Sequence, residues 1–166
     1  MISIIKNTQT ETTIVFNNVK HIFKEQLLNT IINAFPESSR YFIEICGVDI
    51  DSFIENMQSG IYLLECDKTK RIVKNLPKLF ALCDCYEDVN LFGKAIGSFN
   101  VGYMKLYVLK NENVEMCDEQ HILNFIQENR LCTIEVLSDG DIVNLLCDSA
   151  ERMRSICDSI ESSIIK

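Results

Sequence analysis

Thr12-Thr13-Ile14-Val15-Phe16-Asn17-Asn18-Val19-Lys20-His21-Ile22-Phe23-Lys24 is the stretch on which the fold turns. Its first five residues are β-branched or aromatic, the side chains that suit a pleated, half-buried strand. Asn17 and Asn18 tolerate the positive φ angles of a tight turn, and residues 19–24 resume an extended pattern. The segment therefore predicts a β-hairpin. Directly after it, Leu27, Leu28, Ile31, Ile32 and Phe35 recur at the three-and-four spacing of a helix, which Pro36 stops.

Working outward, residues 41–46 give a compact strand with Ile43 and Ile45 on one face and Phe42, Glu44 and Cys46 on the other. Asp49 or Asp51 caps a helix carrying Phe53, Ile54 and Met57, and Gly60 ends it. Residues 61–65 read as a short strand, residues 72–86 as a helix restarted at Pro77, and residues 89–99 as a helix weakened by Gly93 and Gly97. Past residue 100 the texture changes. Residues 103–109 alternate as a strand, a helix from about Asp118 gathers Ile122, Phe125 and Ile126, and residues 131–137 are extended. Ser138 with Asp141 resembles a capping box, after which Ile142, Leu145, Leu146, Met153, Ile156, Ile160 and Ile164 mark the stripe of a long terminal helix. A boundary near residues 100–102 divides the chain into residues 1–100 and a C-terminal extension, 101–166.

Composition bounds the function. A formal net charge of -8 and a pI near 4.8 disfavour a nucleic-acid partner, because phosphate binding rests on clustered Lys and Arg. Lys68, Lys70, Arg71 and Lys74, interrupted by Asp67, read as a solvated helix face. No apolar run approaches the roughly 20 residues of a membrane-spanning helix, and no secretory signal region forms at residues 1–12. The eight cysteines are spread through apolar patterns, as buried thiols in a reducing compartment are, which points to the cytoplasm.

Material for catalysis is sparse. There are two histidines, His21 in the expected hairpin and His121 on a polar helix face, and neither lies in a catalytic motif. Cys83-Asp84-Cys85 is the one close thiol pair, with Cys46, Cys66 or His21 available to complete a zinc site. Its spacing departs from the two-residue gap of strong zinc motifs. We therefore expect no catalytic, cofactor or metal site, and a protein that is not an enzyme.

The order of elements in the first hundred residues resembles the BTB/POZ fold, including its potassium-channel tetramerisation branch. Ile14-Val15-Phe16 with His21-Ile22-Phe23 looks like the opening hairpin, and residues 26–35 like the helix after it. Tyr41-Phe42-Ile43-Glu44-Ile45, then Asp51-Ser52-Phe53 and Gly60-Ile61-Tyr62, is similar to the family's strand, aromatic-led helix and glycine-ended helix. Residues 79–86 followed by Val89-Asn90-Leu91 resemble its apolar helix. The resemblance covers residues 12–99. It implies an α+β fold, with a BTB/POZ-like hairpin and short strands beside clustered helices, and the residue pattern after it adds a mixed, mainly helical C-terminal extension.

It also implies homo-oligomerisation and, in many members, recruitment of a cullin ubiquitin ligase. Leu27, Leu28, Ile31 and Ile32 are the expected partner-binding stripe. Phe35-Pro36-Glu37 matches the family's apolar-any-Glu form, so Phe35 and Glu37 join the expected interface. A second reading is a structural or assembly protein, virus-encoded for example, with no ligase role. A third is a small metal-binding protein or enzyme outside the family.

Overall fold

The computed structural model describes residues 2–17, 21–35, 40–46, 61–66, 78–83, 103–113, 119–137 and 141–163. Among these residues are eight strands: β1 (Ile2–Lys6), β2 (Glu11–Phe16), β3 (Arg40–Cys46), β4 (Ile61–Cys66), β5 (Lys78–Cys83), β6 (Tyr103–Leu109), β7 (Arg130–Leu137) and β8 (Ile142–Cys147). Three helices are described with them: α1 (His21–Ile32), α2 (Glu119–Asn129) and α3 (Ala150–Ser163). The strands form one antiparallel sheet in the order β1-β2-β8-β7-β6-β3-β5-β4.

This architecture replaces the BTB/POZ-like one. Thr12 to Phe16 does form a strand, but its partners are β1 before it and β8 near the other end of the chain, not the residues after Asn17. Those residues enter α1 by His21. The apolar spacing of Ile22, Phe23, Leu27, Ile31 suits a helix as well as a strand, and β2, paired with β1 on one edge and β8 on the other, has no vacant edge for a second hairpin strand. Beyond residue 100 the described residues divide between the helices α2 and α3 and the strands β6, β7 and β8, and those strands lie in the interior of the sheet. Residues 78–83, expected in a helix, form β5 between β3 and β4. The pairings β3 with β6 and β2 with β8 run across residue 100.

Alternation along each strand separates two faces. On one face Ile14 and Phe16, Tyr41 and Ile43, Met104, Leu106 and Val108, Cys132, Ile134 and Val136, and Val143, Leu145 and Cys147 form the main core. Helices α1 and α3 cover it, α1 with Leu27, Leu28, Ile31 and Ile32, and α3 with Met153, Ile156, Cys157 and Ile160. The second spacing is i, i+3, i+4, i+7, one stripe of an α-helix. On the opposite face α2 sets Ile122 and Ile126 against Phe42, Leu82, Tyr107 and Leu109.

The long terminal helix expected from residue 138 onward begins instead at Ala150. Ile142, Leu145 and Leu146 belong to a six-residue segment that is apolar except for Asn144, too short for periodicity to separate strand from helix. The cap is Ser149, whose Oγ accepts the Arg152 amide at 3.3 Å, and not Ser138. Arg152 pairs back to Asp148 at 2.9 Å and lies 5.1 Å over the Phe35 ring, fixing α3 against the end of α1.

Candidate functional site

The face opposite α1 and α3 carries the chemistry. Its centre is a single cross-strand row in which Thr13 pairs with Asn144, Asn144 with Glu135, Glu135 with Lys105, and Lys105 with Glu44. Glu44, Lys105, Glu135 and Asn144 each interrupt a largely apolar stretch of strand, and Thr13 follows Glu11 and Thr12 on β2. The strands bring them to neighbouring positions, where side chains directly opposite interact.

The row is wired by hydrogen bonds. Asn7 Nδ2 donates to Thr13 Oγ1 at 2.9 Å, and Thr13 Oγ1 donates to Asn144 Oδ1 at 2.9 Å. Asn144 Nδ2 donates to Glu135 Oε2 at 3.0 Å, and the Lys105 ammonium sits 3.4 Å from Glu135 Oε1. At the far end Glu44 is buried and accepts the Tyr107 hydroxyl at 2.9 Å. The Asn144 amide thus has only one orientation that serves both neighbours, which fixes the order of donors and acceptors along the row.

Flanking rows complete the surface. On one side Val15, Ile142 and Leu137 are register neighbours, each half-buried, and among the described residues they join neither core. On the other side the row reads Glu11, Leu146, Thr133, Tyr107, Phe42. A concavity of about 410 Å³ opens here, lined in part by Asn7, Glu11, Thr13, Lys105, Arg130 and Thr133. The Thr133 hydroxyl is buried and, among the described residues, has no hydrogen-bond partner.

Arg130 reaches this concavity because of a bulge. Val108 pairs with Cys132 and Leu109 with Arg130, leaving Leu131 as an extra residue on β7. Residues three apart on a regular strand point to opposite faces. The extra residue brings Arg130 round to the side of Thr133. Arg130 and Glu11 are both exposed, and neither has an ion pair among the described residues.

The chain matches no protein-family model, no curated protein and no solved structure.

The residues expected to bind a partner lie elsewhere. Leu27, Leu28, Ile31, Ile32 and Phe35 are all buried in the main core, between the sheet and α3, and Glu37 lies outside the described residues. Strand register also separates the thiols considered for zinc. Cys46 and Cys66 both pair with Lys78, whereas Cys83 is at the opposite end of β5, about 17 Å away at roughly 3.4 Å per residue. Cys85 lies outside the described residues, as do the helices expected around Phe53 and at residues 89–99. Among the described residues no group of three or more potential ligands is placed to hold a metal, and no helix is long and apolar enough to cross a membrane.

The Tyr107–Glu44 bond can be weighed directly. Removing a donor from a buried acceptor costs about 1–3 kcal/mol, so Tyr107→Phe lowers the unfolding free energy by that much in urea titration. Glu44→Gln combined with Tyr107→Phe costs less than the sum of the single changes, since the two share one bond. Strict additivity would mean the bond contributes nothing.

Proposed function

We propose that the chain is a non-catalytic protein-interaction module of the cytoplasm that works by self-association, and that the open sheet face is the surface it uses. The observation that carries this is the pair of opposite charges that, among the described residues, have no ion pair there: the Glu11 carboxylate and the Arg130 guanidinium, which line one concavity together with Thr133. Two strand spacings separate β2 from β7, about 10 Å. In an isologous contact the same face meets itself, so Glu11 of one copy lies over Arg130 of the second, and the reverse. The half-buried Val15, Ile142 and Leu137 supply apolar area beside it, and Ile5, the register neighbour of Thr13, is 50% exposed. This attraction acts against the net charge of -8, whose long-range repulsion is screened beyond about 8 Å at physiological salt. The free, buried Cys132, Cys147 and Cys157 suit a reducing compartment.

Light scattering of the full chain at micromolar concentration is expected to give at least a dimer. Ile5→Asp, at an exposed site where folding is not at stake, weakens the assembly. Glu11→Arg alone raises the dissociation constant about tenfold, and adding Arg130→Glu restores it, because the reversed pair is again complementary. A monomeric wild type overturns the proposal. So does a wild-type dimer indifferent to all three variants, which would place the interface elsewhere.

A further inference from the structure

Two thiols meet beneath α3. Cys132 on β7 and Cys147 on β8 are register partners, both buried and both free, with their sulfurs 3.4 Å apart. The backbone tells which kind of pair they form. The Cys147 amide donates to the Thr10 carbonyl at 3.0 Å, away from β7, while the next amide, of Asp148, donates to Leu131 on β7 at 2.9 Å. Successive amides on a strand point to alternate sides, so Cys147 gives no amide bond to β7. Cys132 and Cys147 are therefore a non-hydrogen-bonded pair, the type whose Cα atoms approach to about 4.5 Å. A disulfide spans Cα separations of about 4.4–6.8 Å.

We propose that Cys132 and Cys147 form an oxidisable dithiol that closes to a cross-strand disulfide when hydrogen peroxide reaches it. Cys147 reacts first. It is 6% exposed where Cys132 is wholly buried, so a small oxidant meets it first. In the neutral pair the Cys147 thiol donates to Cys132. When one proton leaves, the charge settles on Cys147, held below the usual thiol range chiefly by its hydrogen bond with Cys132 and further by Arg152, against burial and Asp148. The same bond, with burial, pushes the Cys132 thiol well up. The Cys147 thiolate attacks a peroxide oxygen. The O–O bond breaks, Cys147 becomes a sulfenic acid, and the hydroxide that leaves takes up a proton as water. The Cys132 sulfur then attacks the Cys147 sulfur. The S–O bond breaks, the S–S bond forms, and the departing hydroxide carries off the Cys132 proton as a second water. Two electrons pass from two thiols to one peroxide, and a small dithiol reverses the bond by exchange.

The test is a peptide map of the full chain, treated with a small molar excess of peroxide under native conditions and digested without reductant. The expected first product links Cys132 to Cys147, is about 2 Da lighter through loss of two hydrogens, and returns to starting mass with dithiothreitol. The linked protein melts several degrees higher, since the bond ties β7 to β8. Cys132→Ser removes the resolving thiol and is expected to accumulate a dimedone-reactive sulfenic acid at Cys147. A first linkage between other cysteines while these two still alkylate overturns the proposal. So does oxidation of Cys147 to sulfinic or sulfonic acid in the wild type without linkage, or persistence of both thiols.

Discussion

Replacing Ile31 by Asp is expected to unfold the chain. Ile31 has no exposed surface and sits in the main core between α1, the sheet and α3. The change forfeits about 2–3 kcal/mol of apolar burial. It also asks a carboxylate to leave water without a partner, a cost of several kcal/mol more. Together these rival the whole stability of a small domain, about 5–15 kcal/mol. Far-UV circular dichroism and urea titration give the answer, with Ile31→Val as the control at about 1 kcal/mol. From its spacing alone, Ile31 was a candidate contact with a second copy, and the same substitution then dissociates an assembly of intact subunits. A folded Ile31→Asp monomer with wild-type stability would return the residue to that role.

The second large effect is expected from ending the chain at residue 138. A free-standing terminal helix could be removed with modest exposure of apolar surface. Here the cut takes β8 from between β2 and β7, and α3 from the face they share. The β1–β2 hairpin then loses its attachment to the sheet, and an isolated hairpin is marginal in water. The core loses Val143, Leu145, Cys147, Met153, Ile156, Cys157 and Ile160 together. The truncated protein is expected to bind hydrophobic dye strongly and to melt without a cooperative transition. A soluble fragment with a sharp transition would show that β8 and α3 are dispensable.

Strands β3, β4, β6 and β7 were legible in the sequence because each alternates or is β-rich over a length that only a strand suits, and α2 because its apolar residues keep helical spacing. The expected faces of β3 also hold, with Ile43 in the main core and Phe42 in the second. What failed were short apolar runs where both periods fit: residues 21–24, 78–83 and 142–147. In each, a distant strand or helix decides the conformation. β1 is only five residues long, and its adjacent Ile4 and Ile5 break the alternation that marks a strand. The site was hidden for a related reason, since Thr13, Glu44, Lys105, Glu135 and Asn144 become neighbours only through register. A signal was present nonetheless. A single charged or amide residue amid YFIEIC, YMKLYVL, LCTIEVL and IVNLLC asks, four times over, for polar company on a largely apolar sheet.

The partnership of β2 with β8 also governs how the protein can be born. Thr13 and Asn144, bonded side by side, stand 131 positions apart in the chain. While the ribosome is still making residues 20–140, β2 has only β1 to lean on, and its open edge and apolar face have no cover. Contacts of such long range require a large loop to close before they return any stability, which places folding toward the slow, milliseconds-to-seconds end for small domains. The emerging N-terminal hairpin is thus a segment that a holdase chaperone would shelter until synthesis ends.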